Sequence, residues 1–159
     1  MSTTPDEVLN WTSYDPRESQ LFNGWGVMYR FHTEPDARSG NSVTTLWRSI
    51  RQNKEDRVAK LEWAPNGGLG RAVIGKNQLP MADLVRQDPR SANCRVFNGP
   101  DGFVYRWRPS TTNRDILLLD PNNNIIALIH PTTPLRYPNY GDVYAELHFV
   151  RGAGAGVVV

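Results

Sequence analysis

The chain has very little cysteine and no long apolar run. Cys94 is the single cysteine among 159 residues, so no disulfide can form within the chain, and the fold must depend on a buried apolar core. We interpret Cys94, which precedes a strand-like run, as a buried structural thiol rather than a nucleophile.

The first residues lack the basic start and apolar core of a signal peptide, and no run approaches the roughly 18 apolar residues of a spanning helix. We therefore expect a cytoplasmic protein whose one membrane role would be peripheral.

Strong net charge and recognisable catalytic motifs are also missing. The balance of 18 Lys and Arg against 16 Asp and Glu gives +2, which is too little to indicate nucleic acid by itself. Neither a G-x-S-x-G nucleophile elbow nor an H-E-x-x-H zinc motif occurs. His32, His130 and His148 are not spaced as a local metal pair, although the fold could bring two of them, His130 and His148, together. We therefore expect no enzyme, no metal, no cofactor and no nucleic-acid partner.

One stretch resembles a phosphate-binding loop but lacks its defining end. Gly70 to Asn77 reads GRAVIGKN, and Asn77 stands where such a loop has the Ser or Thr that binds Mg²⁺. The interior of the stretch is strand-like, whereas a phosphate-binding loop lies between a strand and a helix. We interpret its glycines as turns at strand ends.

Short apolar runs separated by turn residues make up most of the chain. Arg95 to Pro131 contains four such runs, a pattern typical of antiparallel strands joined by hairpins. Within it, Phe103, Tyr105 and Trp107 are predicted to share one face of a strand. Further strands are predicted at 26–33, 42–51, 57–64, 71–75 and 142–151, loops at 87–93 and 132–141, and a short helix at 80–85.

These runs predict a mainly β fold. We expect a single antiparallel β-barrel or sandwich of about nine or more strands, with at most one or two short helices. The predicted organisation is a loose N-terminal arm at residues 1–21, a β-domain at 22–152 and a short apolar tail at 153–159.

Arginine supplies most of the positive charge, with 15 Arg among the 18 basic residues. Arg30, Arg48, Arg106 and Arg108 each lie on a predicted strand and alternate with apolar residues. If strand pairing brings them together, they form an anion-binding face, because guanidinium groups match carboxylate and phosphate geometry. If it does not, they are solvated residues on the faces of the sheet.

Four motifs are distinctive as a set. They are F-x-G-x-D-G-x-x-Y-x-W-R from Phe97, D-x-L-x-L from Asp115, I-A-x-x-H from Ile126 and D-V-Y-A-E-L-H from Asp142. With these motifs the chain resembles an uncharacterised family of mushroom-type fungal proteins, which is itself similar to the tubby C-terminal, LURP-one-related and phospholipid scramblase superfamily. The resemblance covers about residues 20–152. It implies a closed antiparallel barrel threaded by an apolar C-terminal helix, and phosphoinositide binding by surface basic residues, none of which transfers to a position here.

The end of this chain departs from that pattern. Gly152 to Val159 (GAGAGVVV) is too short and too rich in glycine to form the expected helix. Truncation, an extended tail inside the barrel, or a plug supplied by a partner would each account for this. A barrel without this helix would enclose an empty apolar cavity, which is unfavourable. We therefore expect a bound ligand, a dimer or a collapsed sandwich.

The function expected from these observations is binding without catalysis. The ligand would be an anionic phospholipid headgroup or a protein partner. The alternatives are a lectin-like or defence protein, based on exposed Trp and the Asn122–Asn124 loop, a hydrolase built from His and Asp, and a self-assembling structural protein. In the last case a homo-oligomer would complete the barrel through exposed strand edges.

Overall fold

The computed structural model describes residues 7–51 and 53–151. The predicted mainly β fold is confirmed, because thirteen strands form one antiparallel sheet and the described residues contain no α-helix. Two short 3-10 turns occur in that part of the chain, at Pro65–Gly67 and Met81–Leu84. The strands are β1 Glu7–Thr12, β2 Ser19–Asn23, β3 Gly26–Pro35, β4 Ser42–Arg51, β5 Lys54–Glu62, β6 Arg71–Ile74, β7 Asn77–Pro80, β8 Arg86–Asp88, β9 Ser91–Asn98, β10 Val104–Pro109, β11 Ile116–Leu119, β12 Ile125–Tyr137 and β13 Gly141–Phe149.

Strands that follow each other in sequence are neighbours in the sheet, with the single exception of β7 and β8. The order is β7-β6-β5-β4-β3-β2-β1-β13-β12-β11-β10-β9-β8. The first and last strands pair in the middle, where Leu9 lies opposite Leu147. Because every pair is antiparallel, successive connections alternate between the two ends of the sheet.

The sheet curls until its two edges approach each other. Its edge strands, β7 and β8, are consecutive in the chain. A flat sheet of this many strands would hold its edges roughly 58 Å apart, whereas the residues from Pro80 to Arg86 can span at most about 22 Å. Curling is therefore obligatory. Since β7 and β8 do not pair, the sheet forms an open barrel, and the closed barrel with an internal helix is wrong for the described residues.

The seam between the edges is crossed by the 3-10 turn Met81–Leu84, which contacts β9.

The close contacts of Gly70 lie on one side of this seam, among β5, β6 and the end of β7. The amide of Met81 donates to the carbonyl oxygen of Gly70 at 2.8 Å, which extends the β6–β7 ladder beyond the pair of Arg71 and Pro80. A Cβ at Gly70 would lie 2.0 Å from the Glu62 carbonyl oxygen and 2.9 Å from the Ala64 nitrogen. Gly70 is therefore required by the close approach of two backbone segments. The stretch that resembles a phosphate-binding loop is the β6–β7 hairpin, in which a strand rather than an α-helix follows Gly75 and Lys76.

The predicted loose arm is wrong from residue 7 onward. β1 lies between β2 and β13 in the middle of the sheet. Leu9 and Leu21 are buried, and Trp11 lies directly opposite Leu21. Residues 1–6 of the predicted arm and the predicted tail at 153–159 lie outside the described residues.

Two further segments are more strand-rich than predicted. The predicted helix at 80–85 is one 3-10 turn, and the predicted loop at 87–93 contains part of β8 and the start of β9. β12 continues past Pro131 to Tyr137. It does so through a register shift between Pro131 and Leu135 opposite β13. Such a bulge takes proline, which has no backbone N–H to donate, out of the hydrogen-bonding ladder.

The inward-facing side chains form the core. Tyr105, Leu118, Ile126 and Ala127 make a buried cluster, against which Phe97, Trp107 and Phe149 pack. Cys94 is buried, as its predicted structural role requires. Phe103, in contrast, lies in the turn before β10 and is 60% exposed.

Candidate ligand-binding sites

An apolar cavity of about 200 Å³ lies inside the curled sheet. β4 and β10, which contribute Leu46 and Trp107, are far apart in the order of strands, so their meeting at one cavity is a second indication of curling. Seven strands supply its apolar and aromatic lining, which is Leu9, Trp11, Leu21, Tyr29, Phe31, Leu46, Trp107, Ile129, Leu147 and Phe149.

Trp11 is held firmly in the wall of this cavity. Its ring stacks on Phe31 with centroids 6.0 Å apart. Its indole Nε1 donates to Ser19 Oγ at 2.9 Å, which satisfies the one polar group of the side chain. The wall around Trp11 is therefore preformed.

Arg48 lies beside the cavity. It is paired across β3 and β4 with Tyr29, and it is the next inward-facing residue after Leu46. Burial raises the pKa of the Tyr29 hydroxyl, and the positive charge of Arg48 opposes part of that rise. The guanidinium is half exposed and contacts Asp56 at 3.3 Å, which places a cation where the apolar interior meets solvent.

One end of the barrel presents exposed apolar side chains on hairpin tips. The antiparallel order puts the β2–β3, β4–β5, β6–β7, β9–β10 and β11–β12 connections at this end, which we name the Trp25 end. Trp25 is 91% exposed, at the tip of the β2–β3 hairpin. The exposed apolar residues there are Trp25, Ile50, Ile74, Phe103 and Val104.

Three cations accompany these apolar residues. Arg51 ends β4, Lys54 begins β5, and Lys76 lies in the turn between β6 and β7. None of the three takes part in the ion pairs found within residues 7–51 and 53–151, whereas Arg151 at the same end pairs with Glu7. The sequence signal that could have indicated this end is Trp25 between two glycines.

A wider groove of about 990 Å³ lies on the outer face of β4, β5 and β6, beside the loop that follows β3. Trp47 and Thr45 lie on its floor. Positive and negative side chains both line it, and Glu62 pairs with Arg71 at 2.6 Å and with Lys60 at 3.7 Å. The groove therefore has mixed charge and suits a polar ligand better than a multiply charged anion.

The four predicted arginines do not form one face. Arg30 faces outward, where it pairs with Glu55 at 3.1 Å and lies over the Trp47 ring. Arg48 faces inward on the neighbouring strand. Arg106 and Arg108 are on β10, and Arg106 lies 3.8 Å from the buried Asp88. Anion binding by these residues stays a prediction, and of the four only Arg48 lies beside the interior cavity.

The structure does bring His130 and His148 together, on the outer face of β12 and β13. Their ring centroids are 6.3 Å apart. His130 Nδ1 lies 2.6 Å from Asp115, and His148 Nε2 lies 2.9 Å from Glu146. Such pairs can hold or move a proton, but within the described residues neither ring bonds to a hydroxyl or thiol. That same part of the chain holds no group of three or more His, Cys, Asp or Glu that could bind a metal ion.

The fold and these surfaces define an open, up-and-down antiparallel barrel with an apolar interior and one end where exposed apolar side chains lie beside three cations that make no ion pair among the described residues. Residues 14–151 match a family of unknown function (DUF6593), and the chain belongs to this family. No curated protein and no solved structure matches it. Across residues 7–51 and 53–151, none of the helices is long and apolar enough to cross a bilayer.

Proposed function

We propose that the protein is a non-catalytic binding module that docks on anionic membrane surfaces through its Trp25 end. The single observation that carries this proposal is the 91% exposure of Trp25 at a hairpin tip. Exposed aromatic side chains of this kind are favoured at the boundary between water and lipid, where the ring is partly buried and the indole N–H stays hydrated.

The cations at this end supply the preference for anionic lipid. Arg51, Lys54 and Lys76 lie on the same rim as Trp25, and each basic residue near an anionic membrane surface contributes about 1 kcal/mol. Together they would strengthen binding by about 3 kcal/mol, which is more than a hundredfold in the partition coefficient. Insertion of Trp25 and Phe103 would add a term that does not depend on salt.

Vesicle flotation tests this proposal. The intact chain is expected to float with vesicles of phosphatidylcholine and phosphatidylserine, and to float less with phosphatidylcholine alone or at high salt. Trp25→Ala should weaken recovery, while Tyr14→Ala, which removes an exposed aromatic from the opposite end, should not. Equal recovery of the intact chain with both vesicle types would refute the proposal.

Three finer expectations fit the same function. The likeness to tubby C-terminal domains and scramblases, the fungal origin and the cytoplasmic location are each compatible with a module that visits a membrane. The antiparallel up-and-down order of the strands supports this likeness, whereas the open seam and the lack of an α-helix in the described residues do not. Comparison of the chain with tubby domains at the level of strand register would test it.

Saccharide binding is the second candidate, and the outer groove favours it. Trp47 offers an aromatic surface beside Asn41, Ser42 and Thr45, and sugars commonly bind where an aromatic ring lies next to hydrogen-bonding groups. This is the lectin-like alternative. A glycan array on which the intact chain binds nothing would remove it without affecting the membrane proposal.

A further inference from the structure

The interior cavity is suited to an apolar molecule that is separate from any membrane surface. Its ten lining side chains are apolar or aromatic, and the Tyr29 hydroxyl is the one side-chain oxygen among them. The cavity is open to solvent, and its lining offers water almost no hydrogen-bonding partners, so an apolar molecule that displaces this water is bound through the burial of apolar surface.

The cavity volume sets the size of the apolar body that the lining can surround. Apolar cavities of about 150 Å³ admit a six-carbon ring. The volume here, about 200 Å³, therefore accommodates an apolar body of roughly six to eight carbon atoms by the same scale. A chain of that length is much shorter than those of membrane phospholipids.

Arg48 gives the cavity a charge preference. It follows Leu46 as the next inward-facing residue of β4 and lies opposite Tyr29, so two of its neighbours on the inner face line the cavity. Within the described residues its guanidinium makes one hydrogen bond, to Asp56 at 3.3 Å. A guanidinium has five N–H donors, and the remaining donors can take a carboxylate.

We infer that the interior cavity, with Arg48 at its edge, is a binding site for a medium-chain carboxylate. The apolar chain occupies the space between Trp11 and Trp107, and the carboxylate accepts hydrogen bonds from Arg48. This site goes beyond the proposed membrane docking, because it takes a soluble ligand in the interior and uses none of the residues at the Trp25 end.

Three probes of equal chain length separate the apolar and charged contributions. Octanoate, octan-1-ol and octylammonium are titrated into the intact chain by calorimetry, with the fluorescence of Trp11 and Trp107 as a second signal. Octanoate is expected to bind about tenfold more tightly than octanol, because a charge-assisted hydrogen bond is added. Octylammonium is expected to bind most weakly. Equal affinity for octanoate and octylammonium would overturn the role of Arg48.

Two variants test whether Arg48 supplies the positive charge that binds the carboxylate of octanoate. Arg48→Met removes the guanidinium and should lower octanoate affinity about tenfold while leaving octanol affinity unchanged. Arg51→Met is the matched control, since Arg51 is a cation on the same strand and makes no ion pair within the described residues. This variant should leave the affinities for octanoate and octanol unchanged. An equal loss of octanoate binding in the two variants would contradict a specific site.

Placement of the apolar chain is read directly in the unmodified protein. Nuclear Overhauser effects between octanoate methylenes and the Trp11 and Trp107 indoles are expected, and their absence from a saturated complex would overturn the interior location. The Trp25→Ala variant should retain full octanoate affinity. If octanoate binds and vesicles do not, the interior site is supported and membrane docking is refuted. If vesicles bind and octanoate does not, membrane docking is supported and the interior site is refuted.

Discussion

Gly70 lies where the start of β6 passes close to the end of β5, and its replacement gives the sharpest structural prediction. In Gly70→Ala the new Cβ would lie 2.0 Å from the Glu62 carbonyl oxygen, which is backbone and cannot rotate away. The backbone would have to separate by more than 1 Å to reach an ordinary contact.

The expected loss of stability comes from forced overpacking, which costs about 1–3 kcal/mol. We expect Gly70→Ala to lower the free energy of unfolding by this amount, which corresponds to roughly 6 °C in Tm for a chain of this size. Thermal and urea unfolding followed by circular dichroism measure this change.

Gly68 in the same loop provides the matched control. A Cβ there would meet Ala64 Cβ at 3.7 Å and the Pro65 carbonyl oxygen at 3.9 Å, both ordinary contacts, and its φ of −69° is accessible to alanine. Gly68→Ala should be neutral or stabilise the fold by about 0.4–1 kcal/mol. If Gly70→Ala unfolds at the same midpoint as Gly68→Ala, the close approach of Gly70 to the end of β5 is wrong.

Two other changes test the core and the turn before β10. Leu118→Ala empties one of the most deeply buried positions and should cost about 2–5 kcal/mol, whereas Leu69→Ala, at an exposed position, should stay within about 0.5 kcal/mol; equal midpoints in urea would contradict the core assignment. The hydrogen bond from the Tyr105 hydroxyl to Asp101 raises the pKa of Tyr105 to about 12 from 10.0, so this interaction stabilises the fold fully below pH 10 and is lost as the pH rises through 12. Tyr105→Phe should remove the last tyrosine step from an absorbance titration, and an unchanged titration curve would refute that assignment.

Local sequence patterns were sufficient to predict the positions of most strands. The alternation of β3 and the apolar run of β11 each predict a strand where one is found, and β4 occupies the residues predicted. β1 was missed because its inward-facing residues, Leu9 and Trp11, alternate with polar ones in a segment rich in polar residues. The continuation of β12 was missed because Pro131 and Pro134 indicate a loop, and only pairing with β13 keeps that segment extended.

The functional surfaces depend on contacts that no local pattern contains. Whether Arg30, Arg48 and Arg106 share a face is decided by strand order and curling, which separate β3 from β10 and turn Arg48 inward. The cavity likewise joins Leu46 to Trp107 across the barrel. Residue alternation could predict that these side chains face inward, but not that they would leave a cavity between them.

The most direct test of the account compares two charge-matched triple variants in vesicle flotation. Arg51→Gln, Lys54→Gln and Lys76→Gln together remove the cations of the Trp25 end, while Arg38→Gln, Arg90→Gln and Arg114→Gln remove the same charge from loops at the opposite end. Binding to vesicles that contain phosphatidylserine should fall about a hundredfold in the first variant and remain close to that of the unmodified chain in the second. Equal losses in the two variants would mean that net charge alone drives binding, and would contradict docking through the Trp25 end.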